Sequence, residues 1–147
     1  MSARKARPLA FEVWFTPVGR DDYNDLRADL GAEVDAAVAE LERRGCAAAG
    51  YRLAGADSDV GRICVVHLSR DWRLVLGFPA EDEVAVLLVG RHLRGARSVY
   101  ERLYRLLGVE APTEERSKPP CCSDGAPPVA QALISRIVEN AKRLRRG

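Results

Sequence analysis

The sequence predicts an α+β domain: an antiparallel sheet packed on a helical hairpin, with further helices towards the C-terminus. Three observations carry that expectation. Residues 61–100 alternate runs of Val, Leu and Ile with short polar breaks, the pattern of strands joined by tight turns. Residues 17–44 instead space their apolar positions three and four apart, the period of a helix. A proline-bearing stretch near residue 120 then separates both from a final amphipathic segment.

Taken in order, residues 10–16 are short, apolar and aromatic (Phe11, Val13, Trp14, Phe15) and predict a first strand. Thr16-Pro17 predicts a helix start, with Thr as N-cap and Pro in the first helical position. Asp21 and Asp22 follow in the early turns, where the helix dipole favours carboxylates. Tyr23, Leu26 and Leu30 form an apolar stripe that Gly31 is expected to break. A second helix is expected from about residue 32 to 44, with Val34, Ala37, Val38 and Leu41 on one face and Gly45 ending it. Residues 46–60, rich in Ala, Gly and Asp, predict a loop.

The central strands are expected at 62–68, 72–78 and 84–90. Connections this short allow only antiparallel hairpins, because a parallel return needs a dozen or more residues. Side chains alternate faces along a strand. Ile63, Val65 and His67 therefore share one face, and Cys64, Val66 and Leu68 the other. If residues 69–71 form a three-residue loop, Leu68 lies opposite Trp72 and His67 opposite Arg73. An imidazole and a guanidinium then stand side by side, with Arg91, His92, Arg94, Arg97 and Tyr100 following the third strand. Cationic, imidazole and phenolic groups at strand ends suit an anionic ligand. Trp14 and Trp72 read as core aromatics.

Val99, Leu103, Leu106 and Leu107 predict a short helix ending at Gly108. The expected organisation is a domain over 9–108, an extended and mobile linker over 109–128, and an amphipathic helix over 129–147. Leu133, Ile134, Ile137 and Val138 anchor that helix, whose basic end is expected over the acidic hairpin at residues 21–42. Such a helix is not stable alone in water, so it must dock on this chain or on a second copy of it.

Composition narrows the classes. The chain has 147 residues, is 47% hydrophobic and carries a net charge of +2. Residues 9–60 hold 5 Lys/Arg against 11 Asp/Glu, and residues 61–108 hold 8 against 5, so the hairpin is acidic and the sheet basic. A basic sheet suits RNA or another polyanion. The basic start at Arg4, Lys5 and Arg7 is not followed by an apolar stretch of the signal-peptide kind. The longest apolar run, residues 84–89, is far too short to span a bilayer. Four cysteines without CxxC spacing suggest neither a disulfide scaffold nor a zinc site, and Cys121-Cys122 reads as an incidental pair in the linker. The chain reads as soluble and cytoplasmic, with no metal or other cofactor and no membrane partner.

A strand, two helices and a three-stranded meander resemble the RelE/ParE superfamily of toxins from bacterial type II toxin–antitoxin systems. The telling segment is HLSRDWRLVLGFPAEDEVAVLLVGRH, residues 67–92, followed by Tyr100. It is similar to that family's polar-tipped strand, aromatic-Arg-Leu-Val run and hydrophobic strand ending in Val-Gly and a basic pair, with a nearby Tyr. The resemblance implies the order β-α-α-β-β-β and a ribosome-dependent mRNA endonuclease in which the RNA 2′-hydroxyl attacks the adjacent phosphate. It implies a cognate antitoxin, ribosome and mRNA as partners. By position it makes His67, Arg73, His92 and Tyr100 catalytic and Arg91, Arg94 and Arg97 RNA-binding. Val65 stands where RelE has a second lysine, a departure that leaves a ParE-like gyrase inhibitor and an inactive binding module as alternatives.

Overall fold

In a computed structural model the protein is described over residues 10–53, 59–110, 119–122 and 125–146. The expectations for residues 1–9 and for most of 109–118 lie outside these residues. Strand β1 (Glu12–Phe15) leads into α1 (Pro17–Asn24) and α2 (Ala28–Arg44). A two-residue strand β2 (Tyr51–Arg52) precedes the meander of β3 (Cys64–His67), β4 (Trp72–Ala80) and β5 (Glu83–Arg91). Helices α3 (Val99–Leu107) and α4 (Gln131–Arg146) complete the chain. The order β-α-α-β-β-β implied by the resemblance is present, with β2 inserted. The strands lie in the order β1-β5-β4-β3-β2.

The meander is antiparallel, as the short turns require, but β1 runs parallel to β5. The connection between them runs through the helical hairpin and then β2, β3 and β4, well beyond the dozen residues a parallel pair needs. The sheet is therefore mixed. Thr16 caps α1 as expected, its Oγ1 accepting from the Gly19 amide at 3.0 Å. The break between the helices falls at residues 25–27 and not at Gly31, which α2 runs straight through. A glycine inside a helix costs only about 1 kcal/mol. Asp29 in the first turn, with Oδ1 accepting from the Leu30 amide, offers the better start. Strand β4 continues through Pro79 to a two-residue turn, with a register shift between Gly77 and Ala80 that accommodates the proline.

The sheet is covered on both faces. Against α2 lie Cys64, Leu74, Leu76, Phe78, Val84 and Val86, packed with Val34 and Leu41. The other face presents Ile63, Val65, Val75, Ala85 and Leu87 to α3 and α4. The final helix thus packs on β4 and α3, touching α1 only at its margin, and does not lie over the acidic hairpin. Apolar area decides this, because one sheet face would otherwise be bare and the charge attraction of an exposed helix end is worth far less. Gly77 admits α4: a Cβ there would sit 3.0 Å from the Ile134 side chain.

The cysteines are the plainest correction. Cys46 bonds Cys122 and Cys64 bonds Cys121, across 76 and 57 residues of sequence. Cys121-Cys122 is therefore a double clasp. Residues 119–122, expected to be mobile, are pinned: the Arg52 amide donates to Pro119 O at 2.8 Å, and Tyr51 bridges to Pro120. Closing a loop of this length stabilises a fold by on the order of 4 kcal/mol in the chain-entropy account, less for the second of two nested links.

Candidate functional site

The polar end of the α3-facing surface is built from β2, β3, β4, the end of β5 and the first turn of α3. The three-residue turn at 69–71 holds Arg70 at a φ of 57°, the left-handed position that such hairpin loops use. It sets the expected register: the Leu68 amide donates to Trp72 O at 3.0 Å and His67 pairs with Arg73. Ser98 caps α3, with Oγ accepting from the Tyr100 and Leu93 amides. Val99 packs so close that a Cβ on Gly90 would lie 3.1 Å from it, which brings the first turn of α3 down on β5. Tyr100 thereby reaches the strand ends. The His92 amide donates to Asp71 O at 2.7 Å and fixes where β5 leaves the sheet.

These elements assemble one chain of contacts. His67 Nε2 is 3.0 Å from the Tyr51 hydroxyl, and the two rings meet edge to face. The Tyr51 hydroxyl is 3.3 Å from that of Tyr100. The His92 ring stands against the Tyr100 ring with centroids 4.7 Å apart. Arg73 donates to Trp72 O and Arg70 O, which fixes one guanidinium nitrogen. Its buried Nε has no hydrogen-bond acceptor among the described residues.

Burial pushes the Tyr100 phenol well above its ordinary range, and the hydrogen bond with Tyr51 pushes the same way. The Arg73 guanidinium beside it pulls in the opposite direction but does not win. Tyr100 is therefore a neutral hydroxyl at any physiological pH. It can donate a hydrogen bond to an anion, and it is a poor base. His67 and His92 are exposed, and an imidazole offers one ring nitrogen as donor and the other as acceptor.

The four residues singled out as catalytic are thus brought together. The three arginines are not. Arg91 is the register partner of Trp72, which puts it on the opposite face, where it grips Asp71 through two bonds of 3.0 and 3.1 Å. That pair holds the Asp71 carboxyl below its usual range. Arg94 and Arg97 are exposed on the loop between β5 and α3. Arg97 lines a cleft with Trp72, Asp22 and Arg102. The two tryptophans are half-buried, Trp14 donating from its indole to Glu83 at 2.8 Å.

Tyr51 is what sequence reasoning missed. It lies in a stretch of Ala, Gly and Asp, on a strand of two residues, too short to show a period. Its one signal was a lone aromatic in an otherwise small and polar loop.

No group of His, Cys, Asp or Glu among the described residues could hold a metal ion. No helix among them is long and apolar enough to cross a membrane. No protein-family model matches the chain, and no curated protein sequence does. Among solved structures it is similar to a chromosomal ParDE TA system from P. aeruginosa. That match has 16% identity and a TM-score of 0.43, over 56% of this chain and 96% of the other. It is also similar to the RelBE2 toxin–antitoxin complex from Mycobacterium tuberculosis, with 22% identity, a TM-score of 0.38, and coverage of 59% of this chain and 94% of the other.

Proposed function

We propose that this chain is a RelE/ParE-type toxin that acts as an mRNA endonuclease on the ribosome, in the cytoplasm, restrained by a cognate antitoxin. The observation that carries the reading is the contact chain His67–Tyr51–Tyr100–His92 with Arg73 beside it. It joins two imidazoles, a permanent cation and a neutral phenolic donor in one place. Transphosphorylation of RNA needs that set. A neutral imidazole takes the 2′-hydroxyl proton as O2′ bonds to phosphorus. The bond from phosphorus to O5′ breaks, and a protonated imidazole supplies the leaving oxygen with its proton. Arg73 and the Tyr100 hydroxyl face the charge that develops on the non-bridging oxygens, where such donors act most strongly. The products are a 2′,3′-cyclic phosphate and a 5′-hydroxyl end.

Arg94 and Arg97, exposed on the adjoining loop, meet RNA phosphates beyond the cleaved one in this reading. Arg91, on the far face and tied to Asp71, has a turn-bracing role in this reading. The test is expression of the full chain in a bacterial host, with mapping of 5′-hydroxyl ends on translating ribosomes. Growth arrest with cleavage inside the ribosomal A site is expected. Arrest with intact mRNA and inhibited gyrase would favour a ParE-like toxin, and a folded but harmless protein would favour a binding module.

A further inference from the structure

Cys121 and Cys122 are consecutive, yet each is bonded to a different part of the core. Cys122 reaches Cys46 in the 3-10 turn at Gly45–Ala48 after α2, and Cys121 reaches Cys64 on β3. Between those anchors the segment crosses the outer edge of β2. There the Arg52 amide donates to Pro119 O at 2.8 Å and Arg52 Nε to Cys121 O at 3.0 Å. On its other edge β2 pairs with β3, Tyr51 opposite Val65 and Arg52 opposite Cys64. A strand of two residues has little hold of its own. It is held between β3, where the Gly50 and Leu53 amides also donate to Val65 O and Ile63 O, and the clasp, and Tyr51, which joins His67 to Tyr100, is half of that strand.

The four sulfurs are unequally protected. Cys46, Cys64 and Cys121 are 2%, 0% and 1% exposed, whereas Cys122 is half-buried. Thiol–disulfide exchange requires a thiolate to reach one sulfur in line with the bond it breaks, so access sets the order of reaction. Helix α4 has a separate hold. Leu133, Ile134, Ile137 and Ala141 are buried against α3 and the sheet.

We propose that the paired disulfides are a thiol–disulfide exchange site for a dithiol reductant, and that reduction frees residues 119–122 from β2 and Tyr51 from His67 and Tyr100, leaving α4 docked. A thiolate of the reductant attacks Cys122 Sγ, and Cys46 leaves as a thiolate that takes a proton from solvent. The second thiol of the reductant then attacks the mixed disulfide, frees the Cys122 thiol and departs as a cyclic disulfide. Two electrons pass from the dithiol to the protein. A second equivalent opens Cys64–Cys121 once the segment has loosened. In a reducing compartment disulfides are commonly transient or sensing. The polar site is then assembled in the oxidised protein and slackened in the reduced one. This inference stands whether or not the cluster cuts RNA.

The oxidised full-length chain is titrated with dithiothreitol, quenched with N-ethylmaleimide and mapped by peptide mass. Hydrogen exchange is followed on the same samples. Cys46 and Cys122 are expected to label first, Cys64 and Cys121 only at about tenfold more reductant. Exchange in residues 45–53 and 119–122 is expected to quicken by about tenfold or more, with residues 131–146 unchanged, since local opening is independent of distant packed units. The double variant C46S/C122S should show the quickened exchange without reductant. If that variant does not fold, reduction of the wild-type chain still decides the matter. Labelling of all four cysteines before any reductant is added overturns the proposal. So does loss of protection throughout the chain in one step, which makes the disulfides simple staples, and so does reduction that leaves residues 45–53 unchanged.

Discussion

Strand β4 shows one face of the sheet at two ends, and the ends differ in kind. Arg73, Val75 and Gly77 alternate along that face, so the ends are about 14 Å apart at 3.4 Å per residue. At Gly77 the face is dry: Ile134 sits on the glycine, and the Ala130 amide donates to Phe78 O at 2.8 Å. At Arg73 the same face is polar, with a guanidinium whose buried Nε has no acceptor among the described residues. What differs is cover. Helix α4 lies across one end, while at the other only the first turn of α3 reaches over, bringing Tyr100. Apolar burial holds the chain together at the first end, and polar groups gather at the second.

Substitutions at the two ends should therefore separate stability from activity. The largest effect is expected from Ile137→Ala, which truncates a side chain that is 1% exposed beneath α4. A loss of about 2–5 kcal/mol in denaturant unfolding is expected, with cleavage per folded molecule unchanged. If cleavage falls as well, the ends are coupled through the sheet and the contrast drawn above fails.

Arg73→Ala should give the reverse pattern. Losing a donor to a developing oxyanion costs about 100- to 1000-fold in rate. Stability should fall by only about 1 kcal/mol, because the bonds lost are those of Nη1 to the carbonyls of Arg70 and Trp72 at the partly exposed turn. Single-turnover cleavage and thermal melting, run on one preparation, measure both. Full activity with a melting point several degrees lower would make the residue structural.

A smaller change is expected from Tyr51→Phe, which keeps the ring against His67 and deletes the hydroxyl between His67 and Tyr100. Removing that bond should cost about 1 kcal/mol in stability. The His67 ring resonances, followed by NMR, should move, because Nε2 loses its partner. Unmoved resonances would mean that Tyr51 only fills space.

The gentlest test lies at Asp22, whose carboxylate accepts from Arg102 at 2.8 Å and from the Val89 amide at 3.0 Å. Burial raises its pKa above 3.8 despite both bonds, so the folded state binds the proton more tightly than the unfolded one. The corresponding stability is fully present below pH 3.8 and declines as pH rises through the raised value. Asp22→Asn should flatten that part of the profile. A wild-type curve that instead rises steeply through the same window, and still does so in the variant, would show other carboxylates in control.

Much of this was legible in the chain itself. The turn of three residues fixed the pairing of His67 with Arg73, because side-chain period and loop length leave one register. Thr16-Pro17 and Gly108 marked helix ends through purely local geometry. The four residues His67, Arg73, His92 and Tyr100 could be picked out because they end strands or begin a helix, where local pattern places them. Arg91 could not be separated from them, since its face depends on alternation continuing one residue beyond the expected strand end.

Sequence by itself determined most of the elements, their order and the β3–β4 register, all of which follow from periods and turns spanning a few residues. Only the tertiary structure decided three other matters. It paired cysteines 57 and 76 residues apart, covered the second sheet face with α4 and set Tyr51 between His67 and Tyr100. Each of those is a contact between segments with no local signal for one another. Which sulfur meets which, and which face a helix covers, depends on where the rest of the chain has already buried its apolar surface.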